Sequence, residues 1–450
     1  MYLAVGDSRK GVHPAPALGI WGYYSLKPGS QNRMLIKTIL NRIEKHPSFV
    51  YGKAEWRKIA GQDALLVEIK PRANGQPVCS QCGRRRPGYD TLDTRWFEYV
   101  PLWGILVFFV YAMRRVDCPT CGVVVEQVPW AEGKHQLTTS YKLFLAQWAK
   151  VLTWTDVAKR FKTSWESVFR SVSWVVDWGL EHRSLDGITA IGVDEVLWHR
   201  GQKYLTLVYQ INDGCKRLLW MGKDRTEESF SKFFDLLGEK RSATIRFVCS
   251  DMWKAYLNVI ADRATQALNI LDRYHIVAKM NKAIDEVRAK ETKQLKADGY
   301  EPILKHSRWC LLKRPGNLTD KQDVKLADLL QYNLKTVRAY LLKEDFQLFW
   351  EYVRPGWAAK FLDKWCTKVM RARLEPMKKM AKTLRNHRGL ILNWFKARGV
   401  ISMGSVEGLN NKVKVTTRKS YGFRTFKATE VALYHALGDL PEPERPHRFC

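Results

Sequence analysis

The chain has 450 residues, 46% hydrophobic and 27% charged, which excludes a single small module and wholesale disorder and points to about two to four globular domains. Lys and Arg number 75 against 45 Asp and Glu, a formal charge of +30. Such a surface concentrates polyanions by long-range attraction, nucleic acid foremost.

The first 50 residues contain Gly/Pro-rich patches and one amphipathic run, residues 34–43, and stay unassigned. Asp7 and Arg9 stand where a secretory apolar region should continue. The longest apolar stretch, Val100 to Met113, is broken by Pro101 and Gly104 and is shorter than the ~20 residues of a membrane helix. The expectation is a cytoplasmic protein without a membrane span, whose nine cysteines are metal ligands and buried thiols rather than a disulfide framework.

Residues 51–130 alternate apolar and polar positions at period two, as in Val107-Phe108-Phe109-Val110-Tyr111, and read as a small β module. It holds two near-identical knuckles, Cys79-Ser-Gln-Cys82-Gly and Cys118-Pro-Thr-Cys121-Gly. Each sets two thiolates on one tight turn, and the following glycine lets backbone N–H groups fold back toward sulfur. Two such turns make a tetrahedral four-sulfur site for structural Zn²⁺. The alternative is a redox pair, which duplication of the knuckle disfavours. Arg84, Arg85, Arg86, Arg114 and Arg115 flank the knuckles and suggest a phosphate-facing surface.

Residues 140–183 switch to helical spacing. Thr155 to Val168 reads as a short helix, a three-residue turn and a second helix, with Thr155 and Ser164 as caps and Val157, Ala158, Phe161 and Val168 inward. This is helix-turn-helix geometry, which presents Ser164, Trp165, Ser167 and Arg170 to a DNA groove. A plain helical hairpin in a core would share the pattern.

Residues 188–194 form an apolar strand ending on Asp194, followed by a turn at residues 200–202 and strands at 204–211 and 217–221. After a helix at about 226–238, the strand Ile245 to Ser250 ends on Asp251, backed by a helix at 252–260. An acid closing an apolar strand is costly unless hydrated or bound to a cation, so the paired aspartates suggest a Mg²⁺ site. A long, basic, mainly helical stretch follows. Within it Ser405 reads as an N-cap that sets Glu407 in a first turn, with Asn410, Asn411 and Lys414 further along roughly the same face. From Lys360 to Lys427, 18 Lys/Arg face three acids, half the chain's whole excess of charge. Residues 438–450, closing on Pro441-Glu442-Pro443-Glu444-Arg445-Pro446, read as a flexible tail.

The order of these blocks, with GVDEVLWHRGQKYLTLVYQ, VCSDMWKAYLNVI, DRYHIVAKMNKAIDEVR and SVEGLNNKVKVTTRKSYGF, closely resembles the bacterial ISL3-family insertion-sequence transposases over residues 60–437. The resemblance implies an RNase H-like α/β core over residues 187–437 with a mixed sheet, interrupted by a helical insertion at about 285–400. It places the DDE triad, two Asp and one Glu that bind two Mg²⁺ (or Mn²⁺) ions, on Asp194, Asp251 and Glu407. Asp272 and His275, in the DRYH block, are given no role, and His275, of a type more often packed or hydrogen-bonded than a ligand, stays outside that triad. The resemblance also implies double-stranded DNA as partner, both element ends and target, a homodimer or higher oligomer on DNA, and a place at the bacterial nucleoid. Lys412, Lys414, Arg418, Lys419 and Arg424 are expected to hold DNA phosphates beside the acids. The competing readings are a zinc-containing helix-turn-helix regulator without catalysis, and a nuclease of the same fold without strand transfer.

Overall fold

A computed structural model of the chain describes residues 35–199, 203–301, 303–397, 404–420 and 422–444. The expected turn at 200–202 therefore lies outside the described residues, as does most of the N-terminal segment. The chain divides into two units, one running up to Trp96 and including Phe108–Pro129, the other comprising Phe97–Val107 and everything from Trp130 on.

The first unit opens with α1 (Ile36–Ile43) and holds most of a sheet of five strands, β1 (Phe49–Ile59), β2 (Gln62–Pro71), β3 (Gly88–Leu102), β4 (Ile105–Cys118) and β5 (Gly122–Val125), the end of β3 and the start of β4 being counted with the second unit. Their order is β1-β2-β4-β3, with β5 paired to β4. Ala60-Gly61 turns β1 into β2 with both residues at positive φ, the backbone that a two-residue hairpin requires. Period-two alternation buries Val67 and Ile69 of β2 and Phe109, Tyr111 and Met113 of β4. Arg114 does not face outward as the sequence suggested. Its guanidinium donates to both oxygens of the buried Glu126, and Tyr111 donates to the same carboxylate at 2.6 Å.

The second unit begins with three helices, α2 (Thr139–Val151), α3 (Trp154–Arg160) and α4 (Trp165–His182). Ser164 caps α4, accepting from the Ser167 N–H at 3.0 Å. Thr153, not Thr155, caps α3, because the helix starts two residues earlier than a cap at Thr155 would set it and the Thr153 hydroxyl accepts from Asp156 N–H.

A second sheet follows: β6 (Ala190–His199), β7 (Lys203–Asn212), β8 (Cys215–Lys223), β9 (Phe247–Ser250) and β10 (Leu268–Leu271), in the order β10-β9-β6-β7-β8. It is mixed: β6, β7 and β8 pair antiparallel, while β9 runs parallel to both β6 and β10. Helices α5 (Glu227–Leu237), α6 (Glu239–Ser242) and α7 (Lys254–Arg263) stand between these strands in the chain. Ile191, Val193, Val208 and Val248 pack with Phe230, Phe233 and Tyr256 into one core on one face of the sheet. Alternation along β6 therefore turns Gly192 and Asp194 to the opposite face.

The chain next forms α8 (Arg273–Ala297), α9 (Arg308–Leu312), α10 (Asp320–Leu330), α11 (Lys335–Gln347), α12 (Pro355–Arg371), α13 (Glu375–Asn386) and α14 (Arg388–Lys396). Their apolar stripes, including Ile276, Ile284, Tyr340, Trp365, Met377 and Phe395, share a separate helical core. The chain then returns through α15 (Gly404–Lys419), which packs on β6, β7 and β8, and α16 (Phe426–Leu437), which packs on α4 and β8. Of the segment expected to form a tail, residues 438–444 lie against α4 and α2. A Cβ on Gly179 would sit 2.7 Å from Leu440 Cβ, and Glu442 accepts from Lys150 Nζ at 2.5 Å.

Candidate functional site

β6 does not end on Asp194 as the sequence suggested; it runs on to His199 and stays paired with β7 through Asp194↔Leu207. What stops near Asp194 is its parallel neighbour. β9 pairs with β6 at Ala190↔Phe247, Ile191↔Val248 and Gly192↔Cys249, and carrying that register two residues on sets Asp194 level with Asp251. Buried Asp194 and half-buried Asp251 thus meet at the notch where β9 finishes.

The face that Asp194 points to is roofed by α15. Val406 rests on Gly192, and Asn410 Nδ2 donates to Asp194 Oδ2 while its own Oδ1 accepts from the Tyr209 hydroxyl at 2.7 Å. Glu407 is exposed in the first turn of α15, close enough to Asp272 for their charges to interact. Ser405 lies inside that first turn rather than capping it.

Asp272 and His275, left outside the triad by the sequence reading, belong to the same cluster. Asp272 follows β10, caps α8 by accepting from Tyr274 N–H, and is buried. One turn on, His275 Nε2 lies 3.5 Å from Asp194 Oδ1 and 3.9 Å from Asp272 Oδ2. The signal for them was the acid and histidine at i and i+3 directly after an apolar strand. Glu195 alternates to the other face, where it pairs with Arg225 at 3.0 Å. That guanidinium is sandwiched between the Tyr204 and Trp253 rings at 4.3 and 4.4 Å.

The electrostatics are those of crowded acids. Burial pushes Asp251 up, opposed by Trp253 N–H and His275 and reinforced by Asp194. Asp272 is raised chiefly by burial too. Burial disfavours a charged His275, but its bond to Asp194 and the fields of Asp194, Asp272 and Asp251 outweigh that and raise it to about 9. Several carboxylates drawn out of water side by side are stable only with a positive partner. The donor set therefore fits a hard divalent cation. The carboxylates are nevertheless looser than the thiols. Among the described residues, Cys79, Cys82, Cys118 and Cys121 are the only group of three or more metal-donor side chains whose donor atoms all lie within 4.8 Å of one another.

The two knuckles meet as their spacing suggested, with Cys82 and Cys118 sulfurs 3.7 Å apart. Gly83 and Gly122, which follow them, both have positive φ. The backbone at Cys82 lowers the Cys79 thiol. Cys118, despite opposing desolvation, is lowered to about 6 by the N–H groups of Thr120 and Cys121. Cys121 is instead pushed up to about 12 by burial and its three sulfur neighbours. Four converging sulfurs match the ligand set of structural zinc.

The residues expected to contact DNA lie on α4, on α15 and just after it. Ser164, Trp165 and Arg170 are exposed and Ser167 half-buried at the start of α4; Arg170 pairs with Glu166. Lys412, Lys414, Arg418, Lys419 and Arg424 are exposed on and after α15. The Trp154 ring touches Trp165, Phe169 and Phe423 at 5.5–5.7 Å, and Lys419 Nζ donates to Val151 O. The end of α15 and the segment bearing Arg424 therefore adjoin the helix pair α3–α4.

The sheet with its clustered acids and the helix that roofs it fall within a stretch that matches a known family. Residues 191–433 match the model of the ISL3 transposase family, described as "Transposase". That is more than half of the chain, and the chain belongs to this family. It is 28% identical over 394 residues to the transposase for insertion sequence element IS1001 of Bordetella parapertussis, covering 87% of this chain and 96% of that protein. It is 29% identical over 397 residues to the transposase for insertion sequence element IS1557 of Mycobacterium tuberculosis (strain ATCC 25618 / H37Rv), covering 82% and 88%. Among the described residues no helix is long and apolar enough to cross a membrane.

Proposed function

We propose that the protein binds the terminal inverted repeats of its own insertion sequence, cleaves DNA there and joins the ends to a target. Asp194, Asp251 and Glu407 are the DDE residues of an RNase H-like core over residues 187–437, with the helices between about 285 and 400 as its insertion. The observation that carries this reading is the β6/β9 register, which sets Asp194 beside Asp251 under the helix that bears Glu407.

The three carboxylates would hold two Mg²⁺ or Mn²⁺ ions. When bound, such ions activate the entering oxygen and stabilise the leaving one in an in-line displacement at phosphorus. The protein's own groups bind and orient. Lys412, Lys414, Arg418, Lys419 and Arg424 hold the phosphates of the duplex, and Ser164, Trp165, Ser167 and Arg170 of a helix-turn-helix at 140–183 read the end sequence. The module at 51–130, closed by Zn²⁺ on its four cysteines, supplies further backbone contacts. Pairing two element ends calls for a homodimer or higher oligomer on double-stranded DNA, acting at the nucleoid in the bacterial cytoplasm.

The test is cleavage and joining of a labelled duplex carrying the inverted repeat that flanks the reading frame, with a plasmid target. Asp194→Ala, Asp251→Ala and Glu407→Ala should each lose nearly all cleavage and joining in Mg²⁺ while binding the end in EDTA, and double changes should add little. Cleavage without joining would mean a nuclease. Binding without cleavage by the wild type under any divalent metal would mean a regulator.

A further inference from the structure

We infer that Asn410 is a positioning residue: with Tyr209 it forms a buried strut that fixes the Asp194 carboxylate and the register of α15, and so sets Asp194 and Glu407 relative to each other. This rests on the DDE reading above.

The direction of the strut follows from its chemistry. An ionised carboxylate only accepts, so Asn410 must turn its amide NH₂ to Asp194 Oδ2, which leaves its Oδ1 in need of a donor. The Tyr209 hydroxyl on β7 supplies that donor at 2.7 Å. Neither a carboxylate nor an apolar side chain at 410 could serve both neighbours. Asn410 and Tyr209 are 7% and 0% exposed, so water cannot replace either bond, and breaking one leaves a buried polar group unpaired.

Two further interactions make the strut decisive for geometry. The backbone N–H of Glu195 holds Asp194 Oδ1 at 2.8 Å and His275 Nε2 lies 3.5 Å from the same oxygen, so with Asn410 on Oδ2 the carboxylate plane is fixed from both oxygens. A lone pair remains on Oδ2 for a cation. On the other side, Glu407 and Asn410 are three residues apart on one helical face. Pinning Asn410 to β6 and β7 therefore fixes the turn that presents Glu407. Hydrogen bonds of this kind behind a metal ligand typically carry about 10–100-fold in metal affinity.

The experiment uses the full chain as wild type, Asn410→Leu, Tyr209→Phe and Asp194→Asn. Four quantities are measured: unfolding temperature without metal, Mn²⁺ binding without DNA by electron paramagnetic resonance, Mg²⁺ dependence of cleavage of the end duplex, and binding of that duplex in EDTA. Asn410→Leu should weaken Mn²⁺ binding by about 10–100-fold and raise the Mg²⁺ needed for half-maximal cleavage, with end binding in EDTA unchanged. Tyr209→Phe should shift both metal readouts the same way by less. Should Asn410→Leu fail to fold, Tyr209→Phe decides alone, since it keeps the ring and removes only the hydroxyl. Wild-type Mn²⁺ affinity in the folded variants, alongside its loss in Asp194→Asn, overturns the positioning role and leaves the DDE reading standing. Wild-type Mn²⁺ affinity and cleavage in Asp194→Asn as well overturns both.

Discussion

Gly192 on β6 and Val406 on α15 pack so closely that a Cβ added to Gly192 would stand 2.4 Å from Val406 Cγ2. A β-branched side chain with little rotamer freedom cannot yield that space, so the glycine sets how near the helix bearing Glu407 approaches the strand bearing Asp194. Gly192→Ala should destabilise the fold by about 1–3 kcal/mol through overpacking and should lower cleavage more than end binding. Gly192→Ala combined with Val406→Ala should recover part of both. Denaturant unfolding and the cleavage assay check this, and a Gly192→Ala variant with wild-type stability and activity would remove the spacing argument.

The four thiols predict a metal-dependent fold for the first unit. Its sheet carries strands exposed on both faces, as residues 53–58 of β1 and 88–94 of β3 are, so it buries little core for its length. A structural zinc would supply what that core lacks. One zinc per chain is expected by metal analysis. Cys79→Ser or Cys118→Ser should release it and make the sheet protease-sensitive, whereas less than one zinc with all four thiols freely reactive would count against the site.

Phosphate binding by the residues of α15 predicts a particular response to salt. Removing one cation that neutralises a phosphate should flatten the log–log slope of binding against salt by about 0.9. Alanine at Lys412, Lys414, Arg418, Lys419 and Arg424 together should cut the slope for end and random duplex alike. Arg170→Ala with Ser167→Ala should instead narrow the difference between end and random sequence. A wild-type slope in the first variant, or wild-type discrimination in the second, reassigns that set to the solvated surface or to core packing.

The strands, the helix pair and the knuckles were legible because each rests on local pattern: period-two apolar runs, caps, and the fixed spacing of cysteines. Asp194 and Asp251 were legible as acids on apolar strands, but the sequence misplaced Asp194 at a strand end. It could not show that β6 outlasts its parallel neighbour, a fact of pairing register rather than of local pattern. The place of Asp272, His275 and Asn410 beside Asp194 escaped for a related reason. An aspartate before a helix is an ordinary cap, and an asparagine inside one is an ordinary polar residue. Only the sheet order, which sets β10 next to β9 and β9 next to β6, and the roofing of β6 by α15 bring them to Asp194. Arg114 misled in the opposite sense, since nothing local marked Glu126 as its buried partner.

His435 gives the stability of the second unit a pH dependence. Its ring lines a cavity of about 370 Å³ together with Lys150, Lys216 and Lys412, and its Nε2 is shut away with no hydrogen-bond partner among the described residues. Burial and the nearby Lys150 lower it to about 4, against the opposing pull of Glu442. The unfolded chain takes up this proton near pH 6.5, whereas the folded protein resists it until about pH 4. Between those values the unfolded state binds more protons, so the contribution is complete above pH 6.5 and is lost as pH falls. At pH 5 the loss should be about 2 kcal/mol relative to pH 7.5. His275, raised instead of lowered, gains stability as pH falls, so the wild-type curve alone mixes the two. The isolating measurement is the difference in unfolding free energy between wild type and His435→Phe at pH 7.5 and at pH 5. The variant should gain on the wild type by about 2 kcal/mol at the lower pH. An equal difference at both values would mean that the ring titrates as freely folded as unfolded.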